Sequence, residues 1–381
     1  MRLTVGSLLV VALFTGSCGG GPPAAISSPR SQPSPSTAAI AHTIASPTPP
    51  DPCNSAPSDV AVALPLSAFG RVVGDWRNCQ VFISSPRDNE IVVVDYAGNV
   101  IKTIPGEYGA GAMVIDGSTL YVALATSGSV DAIDTVSLVR TKTVATGLVK
   151  PRDLAFAGGR LWTTSGECAQ WTMRLASIDP GTGKVSMFDA DRTTNLGYCA
   201  GFATASKAGK WLVAWDSGLS PGNITVMDVS SGRPVIAFNQ REEILGNLMD
   251  AAITPNGDKL VTASSSPYEF DEWNLEGVSR DGVVYSAGPY PDAVAISPVR
   301  SGLLATGVSR STGASVAEFE VGKPAPVATM LDMGGASHNL LYPRGLAFSR
   351  DGALIFAITG VALDGSPTTV TLNILRGPTL P

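Results

Sequence analysis

The chain has 381 residues, of which only 15% are charged, with 41 Gly, 28 Pro and a formal net charge of −6. So little charge with so much Gly suits short strands and tight turns, and excludes a helical bundle, which draws on Ala, Glu, Lys and Leu. The negative balance excludes a nucleic-acid-binding class, whose surfaces must be basic enough to release phosphate counterions.

The first element in chain order is an export signal. Met1-Arg2 supplies a positive charge, Leu8-Leu9-Val10-Val11-Ala12-Leu13-Phe14 a short apolar core, and Thr15-Gly16-Ser17 small residues before Cys18. The apolar run is too short to span a bilayer, which predicts a signal peptide over residues 1–17. Phe14-Thr15-Gly16-Ser17-Cys18 resembles the lipobox of bacterial lipoproteins, with Thr15 where that family usually has Leu. The resemblance implies a lipid on Cys18 and a place at the outer side of a bacterial membrane, with plain secretion as the alternative. Residues 18–52 are rich in Gly, Pro, Ser, Thr and Ala and close on Ser46-Pro47-Thr48-Pro49-Pro50-Asp51-Pro52. Such a stretch cannot bury enough apolar surface to fold and reads as a tether. The remainder, 53–381, reads as one domain.

That domain repeats. A turn glycine recurs before an apolar strand at Asp116-Gly117, Gly158-Gly159, Ala208-Gly209, Asn256-Gly257, Ser301-Gly302 and Asp351-Gly352. These glycines are 42, 50, 48, 45 and 50 residues apart. Asn-Gly and Asp-Gly favour two-residue hairpins because Gly accepts positive φ without steric cost. A short apolar strand precedes each turn, as in Asp153-Leu154-Ala155-Phe156 and Asp292-Ala293-Val294-Ala295-Ile296, and an alternating strand with a second hairpin follows. Four strands in a unit of about 40 to 50 residues predict an all-β fold, the β-propeller. An earlier unit with Val81-Phe82-Ile83-Ser84 makes seven blades, preferred over six or eight. The last unit supplies three strands, and Val60-Ala61-Val62-Ala63-Leu64 has no blade of its own. It is expected to close the ring and remove a sheet edge. In the fifth blade, the third strand after Phe270 is not placed by this pattern.

Gly128-Ser129-Val130-Asp131-Ala132-Ile133-Asp134-Thr135, followed by Val144-Ala145-Thr146-Gly147, resembles the YVTN-type repeat. Thr254-Pro255-Asn256-Gly257-Asp258-Lys259-Leu260-Val261 and Ser349-Arg350-Asp351-Gly352 resemble its hairpin. The resemblance implies the propeller fold and carries no activity.

Without Cys18, four cysteines allow three pairings. In a propeller, Cys53 and Cys79 fall on the face of the first-to-second turns, and Cys168 and Cys199 on the opposite face. The expected bridges are therefore Cys53–Cys79 and Cys168–Cys199, compatible with export.

The candidate site is the mouth of the central channel. The loops entering each first strand carry Arg152-Asp153, Asp250, Tyr290-Pro291-Asp292 and Tyr342-Pro343-Arg344. Asp153, Asp250 and Asp292 occupy equivalent positions, so three carboxylates converging on one funnel are a candidate calcium site, since calcium prefers oxygen ligands. Alternatively these acids pair with the nearby Arg152 and Arg344 and simply order the rim, and a third reading makes the repeated Asp part of each blade's own hydrogen bonding. The same face carries Pro267-Tyr268-Glu269-Phe270-Asp271-Glu272-Trp273, whose Tyr268 and Trp273 are candidate stacking residues for a glycan, peptide or protein, the alternative being that these aromatics pack over a neighbouring blade. Tyr108, Trp171 and Tyr198 are candidate extensions of that surface. His338 is the single histidine beyond the tether, which excludes a multi-His metal centre. Beside Asn339 it is a candidate lone acid or base. The leading expectation is a monomeric, non-catalytic binding module for an unknown protein, glycan or small molecule at the cell envelope. A calcium-dependent lactonase-like hydrolase or a lyase is the alternative.

Overall fold

β-Branched and apolar runs separated by Asp, Asn and Gly turns give 28 strands among the described residues. The computed structural model describes residues 53, 59–170, 172–188, 200–204, 209–217, 219–241, 245–299, 302–310, 313–332, 340–361 and 369–377. All lie in the unit Thr48–Pro381. The predicted signal, Cys18 with its predicted lipid and the predicted tether fall outside the described residues, as do His338, Trp171 and Tyr198.

Strand β1 is Val60–Ala63. The first blade is β2 to β5 (Val72–Asp75, Gln80–Ser85, Glu90–Asp95, Val100–Pro105) and the second β6 to β9 (Ala110–Asp116, Thr119–Leu124, Ser129–Asp134, Val139–Ala145). The third is β10 to β13 (Leu154–Ala157, Arg160–Ser165, Arg174–Ile178, Val185–Phe188). The fourth is β14 to β17 (Ala200–Thr204, Trp211–Asp216, Asn223–Asp228, Val235–Arg241). The fifth is β18 to β21 (Gly246–Ile253, Lys259–Ser266, Glu269–Asn274, Ser279–Tyr285). The sixth is β22 to β25 (Pro291–Ile296, Leu303–Arg310, Gly313–Glu320, Pro326–Asp332). The seventh has β26 to β28 (Leu340–Phe348, Leu354–Val361, Thr371–Arg376) and takes β1 as its outer strand.

Each blade is a four-stranded antiparallel sheet, and the first strands adjoin in sequence around the ring, with β26 returning to β2. The seven-bladed propeller expected from the repeat is what forms. Its closure is the expected one, with Val60 opposite Ile374 and Ala63 opposite Thr371. β20 supplies the third strand of the fifth blade that the sequence pattern leaves unplaced.

Seven apolar clusters hold the described residues together, one at each seam between neighbouring blades. In β4, Ile91 and Val93 pack towards the second blade, whereas Val92 and Val94 pack towards the seventh. Both faces of a middle strand are therefore covered, and these strands are continuous apolar runs, as in buried sheets generally. The outer strands meet solvent; in β9 the stretch from Val139 to Thr143 is exposed. Gly117 and Gly257 turn two of the hairpins at φ of +63° and +78°, where a Cβ would be strained.

Cys53 is disulfide-bonded to Cys79 in the β2–β3 turn, the predicted pair. Cys168, which opens a single 3-10 turn at Cys168–Gln170, is also disulfide-bonded, and its predicted partner Cys199 lies outside the described residues. A structural disulfide belongs to an oxidising, extracytoplasmic compartment. No helix among the described residues is long and apolar enough to cross a membrane.

Candidate functional site

The inner strands set the site, because each begins on one face of the ring (the entry face) and runs down the channel wall. Asp153 stands immediately before β10. Its Oδ1 accepts from Leu154 N at 2.8 Å, and its Oδ2 from Phe202 N of the next blade at 2.6 Å. Asp250 repeats the device two blades on. It accepts from Ala251 N at 2.9 Å and from Val294 N of the next blade at 3.0 Å. Each carboxylate thus fastens its own inner strand to the following one: the bond to its own strand is the blade-local role weighed from sequence, and the bond across to the next blade goes beyond it.

Arg344 links the two. It enters from the irregular first half of β26, in a left-handed backbone conformation at φ +61°. Its Nη1 donates to Asp153 Oδ2, its Nε lies 3.5 Å from Asp250 Oδ1, and its Nη2 donates to Phe202 O at 3.2 Å. The guanidinium also lies over the Trp215 ring, 5.3 Å from its centroid. Burial works to lower the Arg344 pKa, but Asp153 and Asp250 outweigh it and hold the group above its ordinary value. Burial pushes the Asp250 carboxyl up, against the pull of Arg71 and Arg344. A cation therefore already sits between these acids, and it belongs to the chain.

Asp292 does not join them. Its position in β22 shares the bulge found at Asp250, but its side-chain partner is Ser309, and burial pushes its carboxyl up to about 6. Among the described residues no group of three or more His, Cys, Asp or Glu side chains is placed to hold a metal ion. Arg152 is exposed and lines, with Asp153, Trp215, Ser217, Met249 and Arg344, a cavity of about 150 Å³.

The aromatic candidates separate into two groups. Tyr268 and Tyr290 meet edge to face, with centroids 5.0 Å apart and planes at 70°, and both are nearly half exposed. Each holds a positive φ, at 74° and 61°, conformations costly to a bulky residue. Tyr342 is half-buried against Phe69, at 5.1 Å between centroids. Trp273, expected on an exposed loop, is instead 2% exposed within β20. There it packs with Leu260 and Leu275, and its indole N–H donates to Thr262 Oγ1 at 3.1 Å. The expected loop shrinks to a tight turn at Pro267 and Tyr268, because the acids that follow are paired inside the blade. Asp271 pairs with Arg280, and Glu272 accepts from the Tyr285 hydroxyl and from Gly322 N.

Sequence reasoning missed two features of the channel. Arg71 immediately precedes β2, as Asp153 precedes β10, and only the substitution of a base for the repeated acid could have marked it. Trp76, Arg77 and Arg350 stand at the other end of the inner strands, and of these only Arg350 figures in the sequence reading, as part of a hairpin motif.

Residues 88–209 match a family described as "Repeat of unknown function (DUF6923)". No curated protein matches the chain. Among solved structures, hydrazine synthase of Kuenenia stuttgartiensis is similar with a TM-score of 0.63 and 16% identity, covering 84% of this chain and 98% of that one. At that identity the likeness is one of fold, and it agrees with the propeller built above from the turns and seams.

Proposed function

We propose that the chain is an exported propeller of YVTN type, anchored through a lipid on Cys18, that binds a protein, glycan or small molecule through its entry face. The observation that carries this reading is the exposed Tyr268–Tyr290 pair. Two amphipathic rings held edge to face by strained backbone offer area for stacking and a hydroxyl each for polar contact. Few side-chain rotamers are left to lose when a partner docks on such a pair.

The test compares the immobilised full chain with its Tyr268→Ala/Tyr290→Ala variant in quantified capture from cell-envelope extract. The variant is expected to retain about tenfold less of the captured partner, the scale of an interface hot spot. Equal retention overturns the assignment to this face. Anchoring is tested separately by fractionating cells that express the Cys18→Ala variant. Release of the chain from the membrane fraction is expected, and retention there overturns the lipid.

A further inference from the structure

The larger cavity of the ring, about 410 Å³, is bounded by the inner strands. One end is framed by Trp76 and Arg77 of the β2–β3 turn and by Arg350 of the β26–β27 turn. The guanidinium carbons of Arg77 and Arg350 lie 4.4 and 3.9 Å from the centroid of the Trp76 ring. Stacking occupies the faces of the guanidinium planes and leaves their edges, where the N–H groups point, available for a forked oxyanion. Arg77 Nη1 spends one donor on Gly117 O at 2.7 Å. Neither arginine has an ion pair with a described carboxylate. Asp75, close to Arg77 in sequence, is buried and accepts from Arg77 N, Asn78 Nδ2 and Gln80 Nε2. Two like charges are thus held on one ring.

The far end of the same cavity is lined by Arg71. Its Nη1 is buried and donates no hydrogen bond among the described residues. Asp153 and Asp250 both favour the Arg71 charge, but they accept their hydrogen bonds from backbone N–H groups and, at Asp153, from Arg344. A buried donor without an acceptor is a cost to the fold that calls for an explanation. With a strand rise of ~3.3 Å per residue, Arg71 and Trp76 stand about 16 Å apart along β2. A bore with two exposed guanidinium groups at one end and a buried guanidinium N–H lacking an acceptor at the other has the donors to hold an anion.

We propose that this channel binds an oxyanionic small molecule. Its carboxylate or phosphate group is held by Arg77 and Arg350 at the Trp76 mouth, and its body runs along the bore towards Arg71. The site lies at the opposite end of the inner strands from Tyr268 and Tyr290, and does not depend on their binding role.

Calorimetric titration of the full chain at low ionic strength tests it, with inorganic phosphate and decanoate as probes. Saturable one-site binding of at least one probe is expected, weakened at least about tenfold in Arg77→Gln/Arg350→Gln. Binding of phosphate alone identifies the headgroup as phosphate, and binding of decanoate alone as carboxylate. Both arginines are exposed, so the double variant should fold, and its unchanged melting temperature checks this. No saturable heat from either probe up to about 10 mM, or equal binding by the double variant, overturns the site. Arg71→Met is expected to weaken decanoate about tenfold while leaving phosphate unchanged. Unchanged decanoate binding overturns the part of the proposal in which the ligand body reaches Arg71.

Discussion

Arg344 ties together blades that are far apart in the sequence. It spans from the seventh blade to acids of the third and fifth, whose oxygens also hold the fourth and sixth. Removing one partner of a buried ionic group leaves the others charged and dry, at a cost of about 3–5 kcal/mol. Arg344→Met is therefore expected to destabilise by that amount in urea denaturation, and adding Asp250→Asn should recover part of the loss. Glu107 makes the opposite case. Both its carboxylate oxygens are buried without a hydrogen bond, and Arg140 Nε stands 3.9 Å away. Burial, and then Asp131, push it up from 4.5 to about 7 against the pull of Arg140. Between those values the folded chain holds a proton that the unfolded chain has lost, so stability falls as pH rises through the window. Glu107→Gln should remove this slope and stabilise the chain above it, on the order of 1 kcal/mol or more. Thermal melts of both forms at about pH 5 and about pH 8 check the sign.

At the level of elements, β20 shows where a strand can be misread. Its sequence, Glu-Phe-Asp-Glu-Trp-Asn, alternates acids with aromatics and looks like a wet surface loop. Seams cover both its faces, and its acids find Arg280 and Tyr285 on the neighbouring strand. Trp273→Ala should thus cost about 3–5 kcal/mol of stability, the range for emptying an aromatic core position. A loss of binding with unchanged stability would contradict its place in the core. The hairpins were legible because Asp-Gly and Asn-Gly turns are local chemistry, decided within four residues. Closure by β1 was legible because one strand lacked a blade and one blade lacked a strand. Pairing between the funnel acids and Arg152 or Arg344 was legible as one reading, but which Arg meets which acid was not, since Arg344 and Asp153 are 191 residues apart and meet only once the ring has formed. Arg71 escaped for the same reason.

On the scale of the whole molecule, the ring depends on a seam whose two sides come from the ends of the chain. A variant beginning at Leu64 would lack β1 and leave β28 as an open edge, an invitation to intermolecular pairing. It is expected to melt lower than the full chain and to associate on heating, which light scattering during a thermal ramp would register. A monomeric melt equal to that of the full chain would show that closure contributes nothing. The Cys53–Cys79 disulfide adds a mechanical consequence. A pull on any segment preceding Cys53 enters the ring at Cys79 in the first blade as well as through β1 in the seventh. The load is divided between a covalent bond and a strand, so the hydrogen bonds that close the ring are not the first to bear it.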